Sequence, residues 1–239
     1  MALPNRGGTC VLIKNYLSSQ LTEIDISKPD QVWLNLRCLP SILFGFLYIP
    51  PHDSPYFSET RFSSIQEKLK TEKSVRECVL VGDINARMGR KVIELPEHLD
   101  VNDLSYPTIP DTVQVPNGNA NMTFSLCCDE KLVILNNAKL GTKRFNSNLT
   151  YKKGSVWTSE LDLCLVSPNM LEMIEDFNIT HDLSLPSDHA PLSFSVQQHL
   201  CLDKLAERAS FLGDHAALYS KHMVNVCRKP IRFTQINPN

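Results

Sequence analysis

Short apolar runs, each long enough for one buried strand, most constrain how this chain can fold. Ser41–Ile49 reads SILFGFLYI and stops at Pro50-Pro51, and Glu77–Val81 is a second run that ends at Gly82. Proline ends a strand because it has no backbone N–H to donate. Apolar runs of this length, bounded by proline or glycine, are typical of strands that are covered on both faces. We therefore predict a buried strand at each of these two places.

The rest of the chain shows strand and helix patterns in loose alternation, with strands in the majority. Further strands are predicted at Thr9–Ile13 (after a loop at Arg6-Gly7-Gly8), Val32–Leu36, Leu132–Leu135, Leu161–Val166, Phe177–His181 and Leu192–Val196. Helices are predicted at Ser58–Lys70, Ala120–Glu130 and Asn169–Glu175. Residues 92–118 are rich in Pro, Asp and Asn and are predicted to form a long surface loop. Together these patterns predict an α/β sandwich of packed sheets with outer helices.

The pattern changes near residue 198. Leu200–Leu218 has helical spacing, and the last residues, RKPIRFTQINPN, are basic and irregular. We therefore predict a main domain at residues 1–198 and a helical linker or tail at 199–239 that packs weakly on it.

Composition limits the partners and the compartment. The formal net charge is -2, so nucleic-acid binding would have to come from a local basic patch. The chain begins without a signal-peptide pattern and has no CxxC pair, so we expect an intracellular protein, nuclear or cytoplasmic, with buried free thiols at Cys10, Cys78 and Cys164. No apolar run approaches the length of a membrane span, and no membrane contact is predicted.

Polar residues follow the apolar run at Glu77–Val81. Gly82 is followed by Asp83 and, two residues later, Asn85, within the sequence GDINAR. On an extended segment that spacing puts both side chains on one face, where they could meet a ligand. Taken alone, Gly-Asp-x-Asn fits an ordinary turn just as well, because Asp and Asn both favour turns.

Two other predicted strands also begin with polar residues. Asp162 opens the run LDLCLV, and Asp188-His189 precedes the last strand. Each has an ordinary interpretation on its own: a turn cap for the aspartate, and a surface residue for the histidine. Taken together with Asp83, Asn85 and a strand-end tyrosine, Tyr48, they form a set suited to phosphodiester chemistry. Carboxylates suit Mg²⁺ or Mn²⁺, and a histidine oriented by a carboxylate can move a proton.

Four motifs in order make the sequence similar to a known family. Tyr48-Ile49-Pro50-Pro51, GDINAR, Thr150 with SELDLCLVS, and SDHAPL resemble the endonuclease/exonuclease/phosphatase family. GDINAR, YIPPHDSPY and RKPIRFTQIN look most like the apurinic-type endonuclease domain of non-LTR (LINE-type) retrotransposons. The resemblance covers roughly residues 6–197. It implies a four-layered α/β sandwich, two packed sheets flanked by helices, that here lacks its first strands.

The resemblance also implies a role for each matching residue. Asp83 would orient or activate the attacking water, with Asn85 helping to position it, and His189 would contact the scissile phosphate while Asp162 holds its ring. Asp188 and Asp83 would serve the metal centre, which takes Mg²⁺ or Mn²⁺. The remaining matching residues, Tyr48 and Thr150, would bind phosphate or the DNA backbone.

One departure from the family pattern bears on activity. The family carries a metal-binding Glu upstream of the segment that matches Arg6-Gly7-Gly8, and Glu23 and Glu59 lie in the wrong context to replace it. The sequence therefore leaves three hypotheses: a Mg²⁺-dependent DNA endonuclease of retrotransposon origin, a catalytically inactive remnant or binding module, and a phosphatase of the same family. We expect little or no plasmid nicking by the chain as given. The basic residues near the motifs, either a DNA groove or solvated loops, are Arg87, Arg90, Lys91, Lys143, Arg144, Lys152 and Lys153.

Overall fold

The computed structural model describes residues 9–107, 115–146, 148–181, 187–197 and 231–235. The strands are β1 (Leu21–Lys28), β2 (Gln31–Leu36), β3 (Leu39–Tyr48), β4 (Glu77–Asp83), β5 (Leu104–Ser105), β6 (Val133–Ile134), β7 (Lys139–Leu140), β8 (Lys143–Arg144), β9 (Tyr151–Lys153), β10 (Val156–Ser159), β11 (Asp162–Val166), β12 (Ile174–Ile179), β13 (Leu192–Val196) and β14 (Ile231–Gln235). The helices are α1 (Asn15–Ser18), α2 (Thr60–Glu72), α3 (Leu95–Leu99), α4 (Gly118–Asp129) and α5 (Met170–Met173), with a 3₁₀ turn at Gly89–Glu94.

The main sheet has six strands in the order β1-β2-β3-β4-β11-β6. The β3–β4 pair is parallel, and its register places Tyr48 beside Asp83. The β11–β4 pair is antiparallel and places Asp162 opposite Asp83. Two of the predicted buried runs, together with the run that begins at Asp162, thus lie side by side at the centre of the sheet. Their polar ends meet at one edge.

Gly82 is required by the close approach of β3 and β4. A Cβ atom at this position would lie 1.9 Å from the backbone oxygen of Leu47. No side chain can be accommodated there without moving the two strands apart, because the obstructing atom belongs to the backbone. The glycine before Asp83 is therefore dictated by strand packing.

The second sheet has three strands in the order β12-β13-β14. Residues 192–196 pair along their whole length with residues 231–235. The prediction that everything after residue 198 lies outside the domain is therefore wrong for this strand, whose five residues complete the sheet. The predicted helical spacing at Leu200–Leu218 and the rest of the tail lie outside the described residues.

Both sheets contribute to one hydrophobic core. Phe44 and Leu80 of the main sheet belong to the same buried cluster as Phe177 and Phe194 of the second sheet. Helix α2 covers one side of the core with Phe62, Ile65 and Leu69, which recur at helical spacing. The α/β sandwich with flanking helices is confirmed.

Two predicted segments differ in the structure, and β1 is among the strands that were not predicted. Thr9–Ile13 is not a strand; Val11 and Ile13 pack against the core without pairing. Residues 92–118 contain α3, the short β5 and the start of α4 rather than a continuous loop, although 108–114 lie outside the described residues.

The cysteine prediction is correct at two of its three positions. Cys78 and Cys164 are buried free thiols, and Cys10 is exposed. None of the described helices combines the length and apolar character that a membrane span requires.

Candidate active site

His189 lies between two aspartates where β4 and β11 meet. Its Nδ1 atom is 2.8 Å from Oδ2 of Asp162, and its Nε2 atom is 4.0 Å from Oδ2 of Asp83. Both aspartates are buried. The chain alternates sides along each strand, and the register that sets Asp162 opposite Asp83 turns both carboxylates towards the same imidazole.

Burial and neighbouring charge shift the acid–base behaviour of this group. Burial, and then the charge of Asp162, raises the pKa of Asp83 to about 8, although His189 and Asn85 act in the opposite direction. Burial lowers the pKa of His189, but the hydrogen bond and charge of Asp162, with the charges of Asp83 and Asp188, outweigh it and raise that pKa to about 9. Both groups therefore hold a proton more tightly than usual, and each can exchange it with a bound reactant.

Thr150 is fully buried and holds the start of β11. Its Oγ1 atom accepts hydrogen bonds from the backbone N–H groups of Leu161 at 2.8 Å and Asp162 at 3.0 Å. The side chain has no exposed surface. The predicted contact between Thr150 and a phosphate does not fit this placement, because the hydroxyl faces the backbone next to Asp162. Thr150 instead fixes the position of that aspartate.

The segment before β13 is fastened to β9. His189 forms an isolated antiparallel bridge with Tyr151, and the two rings lie 5.3 Å apart between centroids. Ala190 donates its N–H to the Thr150 carbonyl at 2.7 Å, and Lys152 donates its N–H to the Asp188 carbonyl at 2.8 Å. These backbone bonds fix the position of residues 188–190, and therefore the position of the imidazole relative to Asp162.

Asp188 does not join the cluster. Among the described residues, the only group of three or more possible metal ligands consists of Asp83, Asp162 and His189, whose ligand atoms all lie within 4.8 Å of one another. The prediction that Asp188 is a metal ligand is not supported by this placement. The charge of Asp188 contributes to the raised pKa of His189.

Tyr48 and Asn85 flank Asp83. Burial, and then the charge of Asp83, raises the pKa of Tyr48, so its phenol stays protonated and can donate a hydrogen bond. Asn85 has a left-handed backbone with φ 51, and its N–H donates to Oδ1 of Asp83 at 3.0 Å. Its side-chain Nδ2 donates to the Ile49 carbonyl at 2.9 Å. The structure thus brings the predicted Tyr48, Asp83, Asn85, Asp162 and His189 into one region.

The sequence prediction missed three asparagines that surround this region. Asn117 and Asn119, at the start of α4, donate hydrogen bonds to the backbone of the loop after β4. Asn136 is buried and donates to the Asp162 carbonyl at 3.1 Å while it accepts from the Cys164 N–H at 2.9 Å. An Asn-Gly pair before a helix signals an N-cap, but nothing in the sequence connects it to Asn85.

Lys143 and the lysines of the β9–β10 hairpin, three of the basic residues near the motifs, lie in different surroundings. Lys143 donates its ammonium to the carbonyls of Leu171 at 2.8 Å and Glu172 at 3.1 Å, at the end of α5. Lys152 lies with its ammonium 5.6 Å from the Trp157 ring centroid, and Lys153 is exposed beside it in the β9–β10 hairpin. Lys143 fits neither predicted possibility, a DNA groove or a solvated loop, because its ammonium is bonded to α5, whereas Lys153 is exposed near the site.

A divalent cation suits the chemistry of these ligands. Asp83 carries a buried carboxylate whose ionisation is opposed by Asp162, and a nearby cation would relieve that opposition. Carboxylate oxygens are the ligands that Mg²⁺ and Mn²⁺ prefer.

Comparison with known proteins reveals a likeness of fold. No family profile and no curated protein matches the chain. It is similar to the structure of a 3'-5' exonuclease, NExo, from Neisseria meningitidis, with 18% identity and a TM-score of 0.50 over 72% of this chain and 67% of that one. The 3' phosphatase NExo (D146N) from Neisseria, bound to a product DNA hairpin, has the same identity and TM-score over 72% and 69%.

A third similar structure is the endonuclease domain of TRAS1, a telomere-specific non-LTR retrotransposon. It is 17% identical, with a TM-score of 0.47 over 76% of this chain and 69% of that domain. At these identities the comparisons bear on the fold. The two NExo structures show that the chain shares their α/β fold, as the four sequence motifs imply.

Proposed function

We propose that this chain is a metal-dependent phosphodiester hydrolase domain that cuts the backbone of DNA. The observation that carries the proposal is the position of His189, held by Asp162 at 2.8 Å and facing Asp83 at 4.0 Å. An imidazole between two buried carboxylates, with the pKa values of Asp83 and His189 both raised, indicates a catalytic site far more specifically than any one of these residues does.

Each side chain has a definite task in this proposal. Asp162 fixes the His189 ring so that Nε2 faces the scissile phosphate, and the raised pKa of His189 keeps that ring positively charged at neutral pH. Asp83 orients or activates the attacking water, which it can do as a carboxylate beside the imidazole. Asn85 and Tyr48 direct hydrogen bonds at the water and at a phosphate oxygen.

A bound Mg²⁺ or Mn²⁺ would supply positive charge for the phosphate and the leaving oxygen. Asp83 is the described residue best placed to hold it, because the Oδ2 atom of Asp162 is already bonded to His189. The sequence resemblance assigns a further Glu to this task in the family.

DNA is the proposed substrate for two reasons. The motifs look most like those of retrotransposon endonucleases, and NExo was solved with a DNA hairpin as product. In this chain, the β9–β10 hairpin that holds Lys152 and Lys153 is bridged to His189 through Tyr151 and offers positive charge to a nucleic acid. We accordingly propose an origin in a non-LTR retrotransposon and a site of action inside the cell.

A second candidate is a catalytically inactive remnant that still binds DNA. The observation in its favour is the small number of carboxylates: among the described residues, the cluster contains Asp83 and Asp162, and the latter already orients His189. With so few oxygen ligands, Mg²⁺ would be held weakly, and cleavage would be slow or would require a high concentration of the cation.

A supercoiled-plasmid assay distinguishes the two candidates. Purified chain is incubated with Mg²⁺ or Mn²⁺ over a wide concentration range, with His189→Ala as the blank. Slow nicking that increases with cation concentration and disappears in His189→Ala supports the hydrolase. Equal product from both proteins at every concentration refutes it, and a DNA-binding measurement then tests the inactive remnant.

A further inference from the structure

Asn85 holds an unusual backbone conformation next to Asp83. Its φ of 51 places it in the left-handed region, which costs a residue with a side chain roughly 1–2 kcal/mol, although Asn tolerates it better than most residues. The N–H of Asn85 is bonded to Asp83, and its side chain is bonded to the Ile49 carbonyl. Its backbone carbonyl is turned towards the start of α4.

The side chain of Asn117 forms a hydrogen bond with that carbonyl. Its Nδ2 atom donates to the Asn85 carbonyl at 2.7 Å, the shortest of the bonds made by this side chain. Its Oδ1 atom accepts the N–H of Ala120 at 3.0 Å, which caps α4, and the N–H of Arg87 at 3.2 Å. One amide therefore joins the start of α4 to the Asn85 carbonyl and to the Arg87 N–H, which lie on either side of Ala86.

Asn119 bonds the residues that follow β3 and β4 to the start of α4. It is fully buried, and its Nδ2 atom donates to the carbonyls of Ile84 at 2.8 Å and Pro50 at 3.0 Å. Gly118 lies between the two asparagines, and a Cβ atom there would meet the His52 ring at 2.3 Å. The Asn117-Gly118-Asn119 segment thus packs closely against the ends of β3 and β4.

We propose that Asn117 is a positioning residue for the reaction: by bonding the Asn85 carbonyl it holds Asn85 left-handed and keeps Asp83 aimed at His189. This rests on the proposed function for its catalytic meaning. Loss of the bond would release the Asn85 carbonyl, let the loop return to a common backbone conformation, and move the N–H that fixes one oxygen of Asp83. The helix cap and the positioning bond use different atoms of the same amide, so they can be separated.

Asn117→Ser separates them. Serine is a good N-cap but has no amide group with which to bond Asn85. We expect kcat for a short duplex substrate to fall by about 10- to 100-fold, as small misplacements of reacting groups do, while KM stays within about 2-fold. Leu126→Ala is the control, because it removes a buried side chain from the same helix without touching Asn85. It is expected to lower stability and leave kcat unchanged.

A crystal structure of the Asn117→Ser variant tests the inference without any activity. We expect Asn85 to leave positive φ and the distance from Asp83 to His189 to depart from 4.0 Å. An unchanged Asn85, or an equal loss of kcat in Leu126→Ala, overturns the positioning role. If the unmodified chain hydrolyses nothing, the proposed function fails, and the crystal structure still decides whether Asn117 holds Asn85. If Asn117→Ser does not fold, Asn117→Asp, which keeps the cap and the side-chain length, replaces it in both tests.

Discussion

The Nδ1 atom of His189 lies 2.8 Å from Oδ2 of Asp162, and this contact ties the last motif of the sequence to the third. An imidazole bonded through Nδ1 to a carboxylate has its tautomer and its ring orientation fixed, with Nε2 left to face a reactant. The other carboxylate, Asp83, stands 4.0 Å from that Nε2 atom. The relationship is therefore directional, with Asp162 behind the ring and Asp83 in front of it.

Replacing Asp162 tests this direction. Asp162→Asn retains the shape but removes the charge that raises the pKa of His189, so the imidazole should lose its proton at lower pH. We expect nicking at neutral pH to fall by about 10²-fold or more, in line with the typical contribution of a positioned acid or base. Single-turnover rates and an NMR titration of His189 provide the measurement. Asp176→Asn, a surface change on β12, is the matched control, and an unshifted His189 would contradict the assignment.

Stability should fall as pH rises. The pKa of Asp83 goes from an ordinary 3.8 to about 8, and that of His189 from 6.5 to about 9, so the folded state holds protons that the unfolded chain releases. Between about pH 4 and pH 9 the free energy of unfolding therefore decreases. Urea unfolding in EDTA at pH 6 and pH 9 measures the effect. Asp83→Asn should flatten the lower part of the curve, and a midpoint that rises with pH would contradict the prediction.

Thr150→Val should destabilise the fold. The hydroxyl accepts two buried backbone N–H groups, and leaving them unpaired costs about 1–3 kcal/mol each at most sites. Urea unfolding provides the measurement, with the exposed Thr180→Val as control. If Thr150 touched phosphate instead, the variant would keep its stability and lose affinity for DNA.

The two basic regions should differ in their effect on DNA binding. Lys143 is bonded to the end of α5, whereas Lys153 is exposed in the hairpin beside the site. We expect Lys153→Gln to reduce the slope of log K against log salt by about 0.9, the amount for one phosphate contact, and Lys143→Gln to leave it unchanged. Fluorescence anisotropy with a labelled duplex at several salt concentrations measures both. Equal slopes for the two variants would remove the hairpin from the DNA interface.

Gly82→Ala should prevent folding, because the new methyl group would overlap the Leu47 carbonyl. Gly154→Ala, in the hairpin turn at φ +65 with nothing near its Cβ position, should cost only about 1–2 kcal/mol for its left-handed backbone. Circular dichroism and yield of soluble protein compare the two. A folded Gly82→Ala protein would show that β3 and β4 can separate.

The sequence predicted the central strands well because their apolar runs are buried on both faces. It missed β1, since Ile24 and Ile26 on this strand are exposed while Glu23 and Asp25 turn inward. Those two carboxylates meet Lys68, at 3.6 and 3.5 Å, on helix α2. An alternating pattern of acids and isoleucines does not show which face of the strand is covered. Here the covered face is set by Lys68, which lies on a helix distant in sequence.

For the site, the sequence indicated the central residues but not the residues bonded to them. Asp83, Asp162 and His189 were found because each begins or ends an apolar run, and their convergence follows from strand order. The residues that hold the site residues in place were not predicted, because their hydrogen bonds join positions far apart in the chain. Examples are the bonds between Asn117 and Asn85 and between Thr150 and Asp162. A hydroxyl or amide in such a place has the same local sequence pattern as an ordinary cap or turn residue.

The direct pairing of Asp83 with Asp162 across β4 and β11 has a consequence for the newly made chain. During synthesis the first aspartate leaves the ribosome with its strand, but its opposing strand follows only after helices α3 and α4 and the six short strands β5 to β10 have been made. Two acids then face each other, which opposes pairing, until His189 arrives with a compensating positive charge. A chain whose translation stops before His189 therefore holds an uncompensated acid pair at its centre. Such a product should hold β4 and β11 together less firmly than a chain that includes His189.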